Sequence, residues 1–440
     1  MRRWQVAFAA LIGLAACSGD DDWFGGSEEP PLPGDRVAVM LLEREVTPDP
    51  SIADLPVELP PPRRNDAWPQ SGGEPTHAMH HLAAADQLDL AWRVGIGAGS
   101  SGAGQLLARP VVAAGRVFTM DAEGRVRAFD AGNGALVWEF EQAEEYEDGL
   151  IGGGLAYADG WLFATLSSGY VVALDAASGT EMWRQTLGVP LRAAPTVAEG
   201  RILVLTADNQ LYALEGTTGR PAWRHAGFFE GTGLLGAPSP AVDRGVVVVP
   251  YSSAEVFAIR LDNGSPLWSD TVERPRRTQA LEEITDIEAM PVIDEEVVYI
   301  AGYGGQMAAI DARRGIRHWD LDVASTETPW LAGDFIYILT TRGEVVCLLR
   351  ANGRIRWVSP LPRVVNPDDP GSTPIVWSGP ILVGDRLLVV GSNGEAITMS
   401  PYNGEVLGRQ ELPGPSLIPP VAAGGTVFVL TENAQLLAYR

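Results

Sequence analysis

Three histidines, His77, His80 and His81, lie within five residues of one another. Imidazoles at that spacing hold a transition metal when other donors are at hand, but no Cys, Asp or Glu stands between them. The segment therefore reads as a loop of solvent-exposed histidines ahead of the first repeat strand. Asn366-Pro-Asp368-Asp369-Pro-Gly371 offers carboxylates for calcium. It lacks the alternating acidic spacing of a calcium loop, and turn chemistry accounts for it. Only two cysteines are present, Cys17 and Cys347. Cys347 sits in the apolar run Val345-Val346-Cys347-Leu348-Leu349 and reads as a packed core thiol. Repeated tryptophans could stack on a sugar or a quinone, yet their fixed place in a repeat argues for packing. Trp330 and Trp377 lie beside strand starts and read as core. No catalytic residue, metal site or cofactor is expected.

The repeat is what positions everything else. Asp130-Ala-Gly-Asn-Gly134-Ala-Leu-Val-Trp138 returns as Asp175…Gly179…Trp183 and Glu215…Gly219…Trp223. The acid and glycine suit a tight turn, and the tryptophan falls in the strand that follows. Each copy ends a unit opened by a proline: Pro110/Trp138, Pro195/Trp223, Pro240/Trp268, Pro291/Trp319 and Pro329/Trp357 are all 28 residues apart. The copy from Pro380 ends 28 residues on at Gly408, and the copy ending at Trp183 has Leu155 in the proline's place. Units of this kind are four-stranded propeller blades. The eighth copy, from Pro420, stops at Arg440 with three strands, and Leu88-Asp-Leu-Ala-Trp92-Arg-Val94 is the missing fourth. The predicted fold is an all-β, eight-bladed propeller closed by an N-terminal strand, which removes exposed sheet edges.

The front of the chain is different. Arg2 and Arg3 precede an apolar stretch, Val6 to Ala16, too short to span a bilayer and typical of a secretory signal. Leu14-Ala15-Ala16-Cys17 resembles a bacterial lipobox, which implies lipid on Cys17, and Ser18 in the next place implies export to the outer membrane. The expected divisions are a signal peptide over 1–16, an acidic, proline-rich and mostly disordered tether over 17–65, and the propeller over 66–440. Within the tether, Val37 to Leu42 could pair as a strand or dock. The formal charge of −24 argues against nucleic acid and anionic membrane surfaces.

Since the span from proline to tryptophan is constant, length varies only between a tryptophan and the next proline. Those connections share one face, where a binding surface is expected. Gln185 to Arg192 pairs apolar and cationic side chains, which suits an interface anchor. Asp270 to Met290 carries Arg274-Pro-Arg-Arg277 and then an acidic run from Glu282 to Glu288.

Lipobox, repeats and these two loops together resemble the BamB family, the lipoprotein component of the outer-membrane β-barrel assembly machinery, within the wider group of PQQ-like repeats. Val189-Pro190-Leu191-Arg192 before Ala194-Pro195 looks like the family's Leu-x-Leu-Arg. Asp286-Ile287-Glu288 looks like its Asp-x-Asp, with Val189 and Glu288 departing conservatively. The resemblance implies a non-enzymatic scaffold at the periplasmic side of the outer membrane. Val189, Leu191, Arg192, Asp286 and Glu288 would bind the periplasmic domains of BamA, and unfolded outer-membrane proteins would be the clients. The rival readings are a quinone-dependent dehydrogenase and a carbohydrate-binding propeller.

Overall fold

Each repeat folds into a four-stranded antiparallel sheet, and eight such sheets form the β-propeller in the computed structural model of the chain. Residues 46–102, 104–142, 152–228, 238–272, 287–369 and 371–440 are described, within a unit running from Glu45 to Arg440. Cys17, Asp286 and the candidate strand near Val37 lie outside them. Blades one to seven span 111–140, 153–186, 196–226, 241–271, 292–321, 330–360 and 377–411. Blade eight takes its three inner strands from 421–439 and its outer strand from Leu90–Gly95.

The closing strand copies its counterparts in detail. In every other blade the outer strand carries a bulge beside one row: Ala128 pairs Trp138, but the next pair is Phe129 with Leu136. A bulge turns the strand and re-aims the next side chain. Leu90–Gly95 has the same irregularity, with Trp92 opposite Ala438 and Leu90 opposite Tyr439. The ring is therefore shut by a strand that matches its neighbours in register as well as position.

What the tryptophans do follows from where the bulge sends them. Trp138 of blade one donates its indole N–H to Ala176 O of blade two at 3.0 Å. The same bond runs from Trp183 to Gly216, Trp223 to Leu261, Trp268 to Ala312, Trp319 to Arg350, Trp357 to Pro401, and Trp92 to Ala131. Each acceptor directly follows the acid position of the next blade's motif. The motif glycine lies under the ring: a Cβ on Gly179 would stand 2.7 Å from Trp138. Its φ of +75° is one that side-chain-bearing residues avoid. The acid ties the turn from the other side, as Asp130 Oδ1 accepts from Gly132 N and Asn133 N. The tryptophans thus dock blade to blade, as their spacing implies. Across each sheet that carries an indole a small residue makes room for it. The rows read Phe118–Ala128–Trp138, Phe163–Ala173–Trp183 and Leu203–Ala213–Trp223. In blade six the small residue is Cys347, between Tyr337 and Trp357. It is fully buried, and burial pushes its thiol up from the usual range.

The histidine segment is not a solvent loop. Residues 65–84 travel round the channel and bond to the innermost strand of one blade after another. Asn65 Nδ2 donates to Ala422 O of blade eight. Trp68 exchanges backbone bonds with Val112 of blade one, and Tyr157 N of blade two donates to Pro69 O. Val197 N of blade three donates to Gln70 Oε1. Val242 N and Ile293 N, in blades four and five, donate to Pro75 O and Thr76 O. The Trp330 indole N–H of blade six donates to His80 O, and Leu82 N reaches Leu382 O of blade seven. Inner strands otherwise present unpaired backbone groups to the channel, and this strap satisfies them. His77 and His81 are 4% and 2% exposed. His81 Nδ1 bonds Pro60 O at 2.7 Å, and its Nε2 accepts from Asp385 N at 3.2 Å. The expectation of exposed histidines fails because a polar composition cannot reveal a row of unpaired strand edges waiting for it. Ahead of the strap, residues 46–62 also lie on the propeller rather than free of it. Asp49 N donates to Ile355 O, Arg354 pairs with Asp49 at 2.8 Å, and Arg356 donates to Leu55 O along blade six.

His77 gives the strap a pH dependence. Its Nδ1 bonds Pro291 O at 2.7 Å while Nε2 has no partner among the described residues. Burial, reinforced by the charge of Arg109, lowers its pKa to about 4. The unfolded chain takes up the proton near 6.5, so the neutral ring stabilises the fold fully above that pH. The contribution is lost as pH falls toward 4, by an amount on the order of 3 kcal/mol. Urea unfolding of wild type should weaken by that order between pH 7 and 4. His77→Gln should lack that part of the loss, and an identical pH profile in the variant would refute the assignment.

Candidate functional site

The face to consider carries the connections from each outer strand to the next blade's inner strand. In the connection between blades two and three, Leu191 is fully buried and bridges Thr206. It packs with Phe163, Val171, Ile202 and Val204. Arg192 and Val189 beside it are partly exposed. Backbone bonds pin the loop on both sides, from Leu187 N to Gly169 O and from Ala207 N to Pro190 O.

The connection between blades four and five repeats this arrangement. Ile287 stands four residues before its proline, as Leu191 does, and is fully buried. Glu288, in the place of Arg192, is partly exposed. Four before other prolines come Leu106, Ser325 and Ser416, all buried. Ser325 and Ser416 donate to Leu339 O and Leu430 O at 2.7 and 2.8 Å, closing the same gap with a hydrogen bond. That position is a buried peg in these five connections, whereas Val376, four before Pro380, is 57% exposed. Leu191 belongs to the frame, so as an interface anchor it is not presented at the surface. Of the five residues picked out by sequence, Val189, Arg192 and Glu288 are at least partly accessible, Leu191 is core, and Asp286 lies outside the described residues.

At the entries to two inner strands stand two ionisable residues that sequence reasoning passed over. Arg109 precedes the proline of blade one, and Glu327 stands two before that of blade six. Enclosure lowers the pKa of Arg109 and raises that of Glu327, and each is partly relieved by the other's charge. Glu327 Oε2 accepts from Gly379 N at 3.2 Å. The only signal in the sequence was a charge placed where the repeats otherwise carry small or apolar residues. Arg109 also acts on His77, lowering its pKa, and the strap's Trp68 stacks on Trp330 with ring centroids 6.3 Å apart. Among the described residues no three His, Cys, Asp or Glu side chains gather in a metal-holding group. Trp330 and Trp377 are buried, as their place beside strand starts implies.

Known proteins fall into line with this architecture. The family described as outer membrane protein assembly factor BamB matches residues 80–150, 122–359 and 366–440. The outer membrane protein assembly factor BamB of Yersinia pestis is 23% identical over 359 residues, covering 79% of this chain and 88% of that protein. An uncharacterized protein of Rickettsia prowazekii is 25% identical over 260 residues, which span 58% of this chain and 63% of that one. Among solved structures, BamB from Moraxella catarrhalis superposes with a TM-score of 0.68 at 18% identity, over 80% of this chain and 99% of that chain. Quinohemoprotein alcohol dehydrogenase from Comamonas testosteroni reaches 0.66 at 13% identity, over 86% and 81%.

Proposed function

The chain belongs to the outer membrane protein assembly factor BamB family, and from that membership we propose that it is a non-enzymatic scaffold which binds BamA. The protein is held at the periplasmic side of the outer membrane by lipid on Cys17 and assists the folding and insertion of unfolded β-barrel clients. The observation that carries the reading is the matched pair of connections on one face. Leu191 and Ile287 peg them to the ring, and Arg192 and Glu288 stand beside the pegs. A rigid frame that offers side chains of both signs at repeat-related places suits a polar, orientation-fixing contact. Val189 and Asp286 extend the same two loops. The likeness to quinohemoprotein dehydrogenases is one of fold, and fold alone does not carry their chemistry.

The test separates surface from frame. Arg192→Glu and Glu288→Arg should each weaken binding to the purified periplasmic domains of BamA about tenfold or more, with thermal stability unchanged. Leu191→Ala is the wrong probe, because truncating a buried leucine costs ~2–5 kcal/mol of stability whatever the partner does. Wild-type affinity in both charge-reversal variants would sink the assignment of this face.

A further inference from the structure

Seven of the eight blade junctions hold an indole, and the eighth does not. In blade seven the row that elsewhere ends in tryptophan reads Leu388–Thr398–Gly408. The blade it faces has no acid–glycine turn to receive a tryptophan, since blade eight is finished by the two ends of the propeller, Asp89 and Arg440, bonded to each other. Along this junction lies a cavity of about 210 Å³. The whole row lines it, and Val427, Val429 and Tyr439 form the opposite wall.

Nothing in the backbone demands glycine at this position. Gly408 is not among the positive-φ residues, and a Cβ there would meet only Thr398 Oγ1, at 3.2 Å. The missing side chain leaves space rather than relieving strain. Apolar cavities of ~150 Å³ already admit benzene, so this one has room for a fused ring. The walls present aliphatic and aromatic surface on two sheets, while Thr398, Gln410, Arg386 and Arg409 supply polar groups. Gly408 is half-buried, and Arg409 and Gln410 beside it are exposed, which leaves a way in from solvent. We propose that the junction between blades seven and eight is a binding site for a small planar aromatic molecule of indole size, seated where the repeat elsewhere places its own tryptophan.

Indole itself is the probe, titrated into the full chain by calorimetry with ligand-observed NMR as a second readout. Saturable one-to-one binding is expected for wild type. Gly408→Trp places the repeat's own ring in the space and should weaken binding at least tenfold. Thr398→Phe fills the same row from its middle strand and should do the same, so it decides the matter if the first variant does not fold. Absence of saturable binding to wild type overturns the proposal. Wild-type affinity in a folded variant of either kind overturns it too.

Discussion

A chain lacking residues 88–95 is expected to be recovered as oligomer or insoluble material rather than as a folded monomer. The deletion removes the whole outer strand of blade eight and uncovers the edge of Gln435–Tyr439, which pairs with it. An open, apolar edge strand is a template for pairing with another chain. The loss extends to the neighbouring blade, because Trp92 donates to Ala131 O and lies over Gly134 of blade one. Its ring also packs at a tilt against Phe428, with centroids 5.9 Å apart. Burying an indole is worth ~4–6 kcal/mol gross at about 25 cal/mol/Å², which is comparable to the net stability of many domains. Light scattering behind size exclusion reads the outcome. A monomer that melts where wild type does would show that the ring is not closed by this strand.

Gly179→Ala should destabilise the protein by about 3 kcal/mol or more, and Gly160→Ala by much less. Both glycines have positive φ, +75° and +84°, so both substitutions carry a left-handed strain of ~1–2 kcal/mol. They differ in what the new methyl group meets. At Gly179 it falls on the Trp138 ring at 2.7 Å, whereas at Gly160 nothing stands within 4 Å. The difference between the two losses in urea unfolding therefore isolates indole docking from backbone strain. Equal losses would mean that the glycine serves the turn alone.

The blades and their closure were legible because they are written in backbone terms. A turn that needs positive φ and a ring that needs a seat recur at a spacing fixed by strand length. Trp92 is matched to its six tryptophan counterparts by spacing alone, and the structure adds the bulge and the carbonyl each ring finds. The strap was not legible. Residues 65–84 have no periodicity of their own, and most of their partners are main-chain groups on inner strands distributed over the chain from Val112 to Ala422. Leu191 shows a different limit. Its sequence context reads as an interface anchor, yet comparison with Leu106, Ile287, Ser325 and Ser416 makes it part of the repeat. A leucine in one connection and a serine in another can fill one slot, by packing or by hydrogen bonding, and residue type alone hides the equivalence. The absent tryptophan at Gly408 was visible as a gap in a count. Its meaning needed the cavity beside it.

The scaffold reading is tested most directly by purifying the full-length, processed chain from outer membranes and identifying what accompanies it. The account predicts that BamA co-purifies with wild type and is depleted with the Arg192→Glu variant, although both chains are folded. Absence of BamA from the wild-type preparation, together with dye reduction when a quinone cofactor and an alcohol are supplied, would contradict it.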